Sequence, residues 1–105
     1  MDEALKQRID QDIKNNKVVL YMKGKTAAPM CGFSARAVSI LQKHDTAFKD
    51  VNILEDEAIR QGMKEYSDWP TFPQIYINGE FIGGCDILAE LDENGELAKL
   101  LGKAK

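Results

Sequence analysis

The 105-residue sequence is poor in the residues that staple or ligate small folds: it has two cysteines, one histidine, three prolines and one tryptophan. Cys31 and Cys85 lie far apart, whereas a disulfide-built secreted domain carries a denser, even set, so a reducing, cytoplasmic setting is expected. His44 with two thiols cannot complete a tetrahedral zinc site unless other groups join. It is expected as an exposed residue near a helix end. No apolar run approaches the roughly 20 residues needed to span a bilayer, so no membrane role is expected. A basic excess is missing too: 14 Lys and Arg stand against 17 Asp and Glu, a net charge of -3. That balance argues against a nucleic-acid partner. The opening MDEALKQRID also lacks the basic and then apolar pattern of a secretory signal.

What is present reads as one domain over residues 1–105, long enough for a modest core. Leu5, Ile9 and Ile13 recur every four residues and predict an N-terminal helix with one apolar stripe. KVVLYM is short, β-branched and aromatic, as a buried strand would be. GKTAAPM reads as a loop. Ala37, Ile40 and Leu41 mark the inner face of a helix opening near Cys31. AFKDVNI predicts a second strand, and Ile59, Met63 and Tyr66 a second core helix. SDWPTFP is a turn-rich break. QIYI-NG-EFIGG predicts a hairpin, because Asn78-Gly79 supplies the positive φ values of a type I′ turn. A helix from about Asp86, with Leu88 and Leu91 inward, and a short ELAKLL helix complete the chain. The early β-α-β unit implies parallel strands with a right-handed crossover, and the late hairpin adds antiparallel pairing. The expected fold class is α/β, a mixed four-stranded sheet with helices on both faces.

Cys31 follows a strand, a loop and Pro29, and it begins a helix. A thiolate there faces unpaired backbone N–H groups and the positive end of the helix dipole, both of which lower its pKa. Lys23, ending the preceding strand, can add positive charge. A buried, inert cysteine is the plainer alternative.

CGFS at 31–34, with WPTFPQIYINGEFIGGCD downstream, resembles the monothiol glutaredoxin family, in the short single-domain form of bacteria. The resemblance runs from VVLYMKG through the final helices, and it implies the thioredoxin fold and a glutathione site. By that similarity Lys23 and Arg60 hold the glycyl carboxylate, which Arg can grip bidentately. Pro73 resembles a cis-proline, an isomer that X-Pro bonds hold at low cost. It would turn the Phe72 backbone toward the ligand's cysteinyl residue, to pair with it like an added strand. Gly83-Gly84 permits close backbone approach. Cys85 and Asp86 open a helix whose N–H groups suit the γ-glutamyl carboxylate, with Asp86 for the ammonium or simply as N-cap. Trp69 is expected to pack under this wall. Phe33 either shields the thiol or packs in the core. The Cys85 sulfur is either a resolving thiol or, as we favour, a spectator packed as a small apolar group.

Ser34 stands where a dithiol protein would place its second cysteine. A hydroxyl that hardly ionises cannot attack a mixed disulfide on Cys31 and release a reduced product. One strong ligand per chain remains, while a [2Fe–2S] cluster is usually held by four thiolates. The resemblance implies how that is met: two chains each supply Cys31 as metal ligand, and two glutathiones supply the other sulfurs. It further implies a homodimer when cluster-bound, a BolA-like partner and apo iron–sulfur acceptor proteins. The expected function is cluster assembly, storage or transfer. The alternative is a glutathione-dependent thiol-disulfide oxidoreductase, a deglutathionylase with Cys31 as catalytic nucleophile. The resemblance implies that this activity is weak at most.

Overall fold

The computed structural model describes residues 1–102; the last three residues of the expected 1–105 domain lie outside the described ones. Strand β1 (Val18–Met22) is buried at every position, so alternation along it serves two cores rather than one. Val18, Leu20 and Met22 face one apolar cluster, and Val19 and Tyr21 face another. A strand buried on both faces must sit inside a sheet flanked by helices. The sheet order is β4-β1-β5-β6, with β4 at Lys49–Asn52, β5 at Gln74–Ile77 and β6 at Glu80–Gly83. β1 runs parallel to β4 and antiparallel to β5, and β5 runs antiparallel to β6. The expected mixed four-stranded sheet is present.

Helix α1 (Glu3–Asn15) packs Ile9 and Ile13 on one face of the sheet, joined by Ile59 and Met63 of α3 (Glu57–Ser67). Asp2 and Asp56 cap these helices by accepting from Ala4 N–H and Ile59 N–H. The other face carries α2 (Gly32–Lys43), α4 (Cys85–Glu93) and α5 (Glu96–Leu100). Ala37, Val38, Leu41, Leu88 and Leu97 fill that core, and each fully buried aliphatic side chain contributes about 1.5–3 kcal/mol. Asn78 and Gly79 have φ of 54° and 82°, as a type I′ hairpin requires.

Three local features differ from expectation. GKTAAPM holds a small antiparallel ladder, β2 (Gly24–Lys25) against β3 (Ala28–Pro29). Two-residue strands carry no hydrophobic period, so the pattern is silent there. Helix α4 is capped by Gly84, without a side-chain bond, so Asp86 lies in its first turn and is not the N-cap. His44 does end α2, but its ring is largely buried and lies 2.6 Å from Asp92 Oδ1. Lys43 Nζ reaches the other oxygen of Asp92, so the C-terminal end of α2 is tied to α4.

Candidate functional site

Cys31 is the N-cap of α2, in extended backbone conformation, and its Sγ accepts the Ser34 N–H at 3.3 Å. A sulfur in this position stands in for the oxygen of an ordinary capping residue, at the positive end of the helix. Ser34 is completely buried. Its Oγ accepts the Lys23 N–H at 3.1 Å and lies 3.5 Å from Cys31 Sγ, where the thiol donates to it. Once the thiol ionises, the same hydroxyl can turn and donate to the thiolate. Burial alone would raise the Cys31 pKa. The Ser34 hydroxyl, the Ser34 and Phe33 N–H groups and the Lys23 charge outweigh it, and the thiol is held below its ordinary value. Cys31 is partly exposed, and both cysteines are free thiols. The serine at 34 therefore does more than withhold a second thiol: it supports the first as an anion.

Beside the thiol lies a cleft of about 600 Å³, lined by Lys23, Phe33, Arg60, Lys64, the Trp69–Pro73 loop and Gly84–Ile87. That volume falls within the range of about 300–1,000 Å³ typical of small-molecule sites. A second, more open depression of about 710 Å³, between α1 and the Asn78-Gly79 turn, includes none of these residues and neither thiol. The cleft brings together residues from both faces of the sheet. Lys23 enters from the end of β1, Arg60 and Lys64 from α3, Phe33 from α2, and Cys85 and Asp86 from α4. Arg60 and Lys64 are four residues apart and share a helix face. That spacing is the signal that would have added Lys64 to the residues expected here. Arg60 Nε is buried without a hydrogen-bond partner among the described residues, while its Nη1 lies 3.5 Å from Glu57 Oε1.

The cleft wall is set by backbone. The Phe72-Pro73 peptide is cis, and Phe72 is buried where β5 begins. Gln74, also fully buried, donates to the Trp69 and Thr71 carbonyls and so holds the 69–73 loop. Gly83 has φ +136°, and a Cβ there would lie 3.0 Å from Ile87. Gly84 supplies no side-chain cap, which leaves the first-turn N–H groups of α4 for another acceptor. Trp69 packs edge-on against Phe81, with ring centroids 5.9 Å apart. It also lines the cleft with 38% of its surface exposed, so it is more than the packing residue expected. Phe33 is 62% exposed, which removes the core role and leaves the one beside the thiol. Asp86 is exposed and lies 4.0 Å from Arg36. Cys85 is buried, and burial pushes its thiol pKa up against the opposing pull of Arg36. A buried thiol held in its protonated form is a poor nucleophile.

The Glutaredoxin family profile matches residues 18–82. "Probable monothiol glutaredoxin 2" of Rickettsia conorii is 57% identical over 93 residues, covering 89% of this chain and 87% of that protein. "Monothiol glutaredoxin-S14, chloroplastic" of Arabidopsis thaliana is 55% identical over 100 residues, 95% of this chain and 58% of the longer relative. Among solved structures, reduced poplar apo GrxS14 superposes with a TM-score of 0.83 at 54% identity, over 94% of this chain and 91% of that one. A buckwheat glutaredoxin–glutathione complex gives 0.85 at 24% identity, over 98% and 94%, a likeness of fold. With the thioredoxin-type sheet, the capping thiol and relatives more than half identical across most of its length, the chain belongs to the glutaredoxin family, in its monothiol branch.

Proposed function

We propose that the cleft binds glutathione, and that two copies of the chain then carry a [2Fe–2S] cluster between their Cys31 thiolates for assembly, storage or transfer. The observation that supports this best is the pairing at α2: an accessible thiol held toward its anion, with a buried hydroxyl where a resolving thiol would stand. Such a thiol can ligate, but cannot clear its own mixed disulfide.

The residues fit the tripeptide. Lys23, Lys64 and Arg60, whose buried Nε–H has no partner among the described residues, suit the glycyl carboxylate. The uncapped α4 N-terminus suits the γ-glutamyl carboxylate, and Asp86 suits the ammonium. The Phe72 backbone at the cis bond would pair with the cysteinyl residue, and the Cys85 N–H belongs to the far wall. Cys31 supplies one cluster ligand per chain, so four sulfurs require two chains and two glutathiones. Phe33 and Met30, both largely exposed beside the thiol, leave that edge open to a second copy. A BolA-like partner and apo acceptor proteins belong to the same reading. So does a reducing compartment such as the cytoplasm, where both thiols stay free. Among the described residues, no helix is long and apolar enough to cross a membrane.

The lowered pKa also favours a second reading, in which Cys31 is catalytic and attacks a glutathione mixed disulfide. It would release the substrate thiol and leave the glutathionyl group on Cys31 for an external thiol to remove. One experiment separates the two. The protein is reconstituted anaerobically with iron, sulfide and glutathione, and its visible spectrum and solution mass are recorded. The carrier reading expects a coloured dimer that bleaches without glutathione and does not form with Cys31→Ser. Brisk turnover of a small glutathione mixed disulfide with no chromophore overturns it in favour of the oxidoreductase.

A further inference from the structure

We propose that Asp50 is a positioning residue for the thiol site, anchoring the β2–β3 hairpin and thereby setting where Lys23 and Cys31 stand. The inference takes from the reading above only that these two residues are working groups of the cleft. Asp50 lies in β4, the edge strand beside β1, and does not itself line the cleft. Its Oδ2 accepts both the N–H and the hydroxyl of Thr26, each at 2.8 Å. Asn52, two residues on and so on the same face of the strand, accepts the Gly24 N–H at 2.9 Å. The hairpin is thus held at its turn and at the start of its first strand by acceptors from a neighbouring strand.

Its own ladder is small, with only the pairs Gly24–Pro29 and Lys25–Ala28. Even a complete two-stranded hairpin is marginal in water, so the side-chain anchors decide where this one lies. Bonds to an ionised carboxylate are the stronger kind. Burial opposes the Asp50 charge, but the two Thr26 bonds and nearby Lys25 overcome it and keep the carboxyl below its ordinary pKa. The hairpin in turn frames the site. Met30 N–H donates to the Lys23 carbonyl at 2.9 Å and closes its base one residue before Cys31. Lys23 N–H donates to Ser34 Oγ, which lies against Cys31 Sγ. A continuous run of bonded groups therefore leads from Asp50 through Thr26 and the hairpin to Lys23, Ser34 and the sulfur.

The test is the pH profile of Cys31 alkylation by iodoacetamide, resolved from Cys85 by peptide mass, with urea unfolding measured in parallel. Asp50→Ala should move the profile to higher pH and slow labelling at pH 7 by roughly three- to tenfold, as expected when one net hydrogen bond of support is lost. Thr26→Val, which keeps the backbone donor, should give a smaller shift in the same direction, and Thr26→Ser should restore the parent profile. Unchanged profiles in both Asp50→Ala and Thr26→Val, whatever their urea midpoints, overturn the proposal. Should Asp50→Ala not fold, the Thr26 pair decides alone. Labelling needs neither glutathione nor metal, so this outcome stands apart from that of cluster loading.

Discussion

The thiol of Cys31 and the hydroxyl of Ser34 work as one unit. In Ser34→Ala the Sγ keeps its bond from the residue 34 N–H but loses the hydroxyl, and the Lys23 N–H loses its acceptor. A buried donor left unpaired costs about 1–3 kcal/mol. This variant should therefore lose stability of that order in urea and also show a higher thiol pKa by absorbance at 240 nm. The sign of the pH dependence follows from the same geometry. The folded thiol titrates below the ordinary value of 9.0, so between the two pKa values the unfolded chain binds more protons. Stability from this group is complete above 9.0, declines through that interval and is lost as pH falls through the folded pKa. Cys85 acts oppositely, because its folded pKa is raised. The difference in urea stability between the parent and Cys31→Ser isolates the first effect: it should grow in the parent's favour as pH rises toward 9. A difference flat in pH would show that the thiolate is not held by the fold.

At the scale of elements, the β2–β3 hairpin and the ends of α2 and α4 shape the site. Gly24 has φ +90°, and a Cβ there would come within 2.6 Å of the Ala28 carbonyl oxygen and 2.7 Å of Met30 N. Neither is a flexible side-chain tip that could swing away. Gly24→Ala should cost about 1–3 kcal/mol, as backbone forced into a sparsely populated region does. It should also spread the hairpin base, so its thermal midpoint and Cys31 alkylation rate should fall together. This element also marks where the sequence stopped being legible. Longer elements announced themselves by period, as in Leu5, Ile9 and Ile13, or by turn chemistry, as in the β5–β6 hairpin with its Asn78-Gly79 turn. The ladder at 24–29 has no period to read, because its order comes from Asp50 and Asn52 on another strand. Likewise His44 was legible as a helix-end residue, but not as a partner of Asp92, 48 residues away. Ser34 read as a missing thiol; its support of Cys31 depended on its complete burial, which spacing does not reveal.

For the whole molecule, the central fact is that the cleft opens where the two cores meet at one end of the sheet. Arg60 and Lys64 come from the face covered by α1 and α3, while Phe33, Cys85 and Asp86 come from the face covered by α2 and α4, with Cys31 just outside the lining at the start of α2. The family motifs made most of these residues legible one at a time, but only the crossover of the chain brings them to one groove. In the proposed pose Arg60 and Asp86 read opposite ends of the tripeptide, so their contributions should be independent. The quantity to measure is the equilibrium between Cys31 with oxidised glutathione and the Cys31 mixed disulfide with reduced glutathione. Arg60→Gln and Asp86→Asn should each weaken the mixed disulfide, and the double variant should show the sum within about 0.5 kcal/mol. Analogue ligands sharpen the assignment. With cysteinylglycine, which lacks the γ-glutamyl group, Asp86→Asn should have no effect while Arg60→Gln keeps its full cost. If both substitutions instead weaken cysteinylglycine equally, they act through the fold of the cleft, and the two-ended recognition of the tripeptide is wrong.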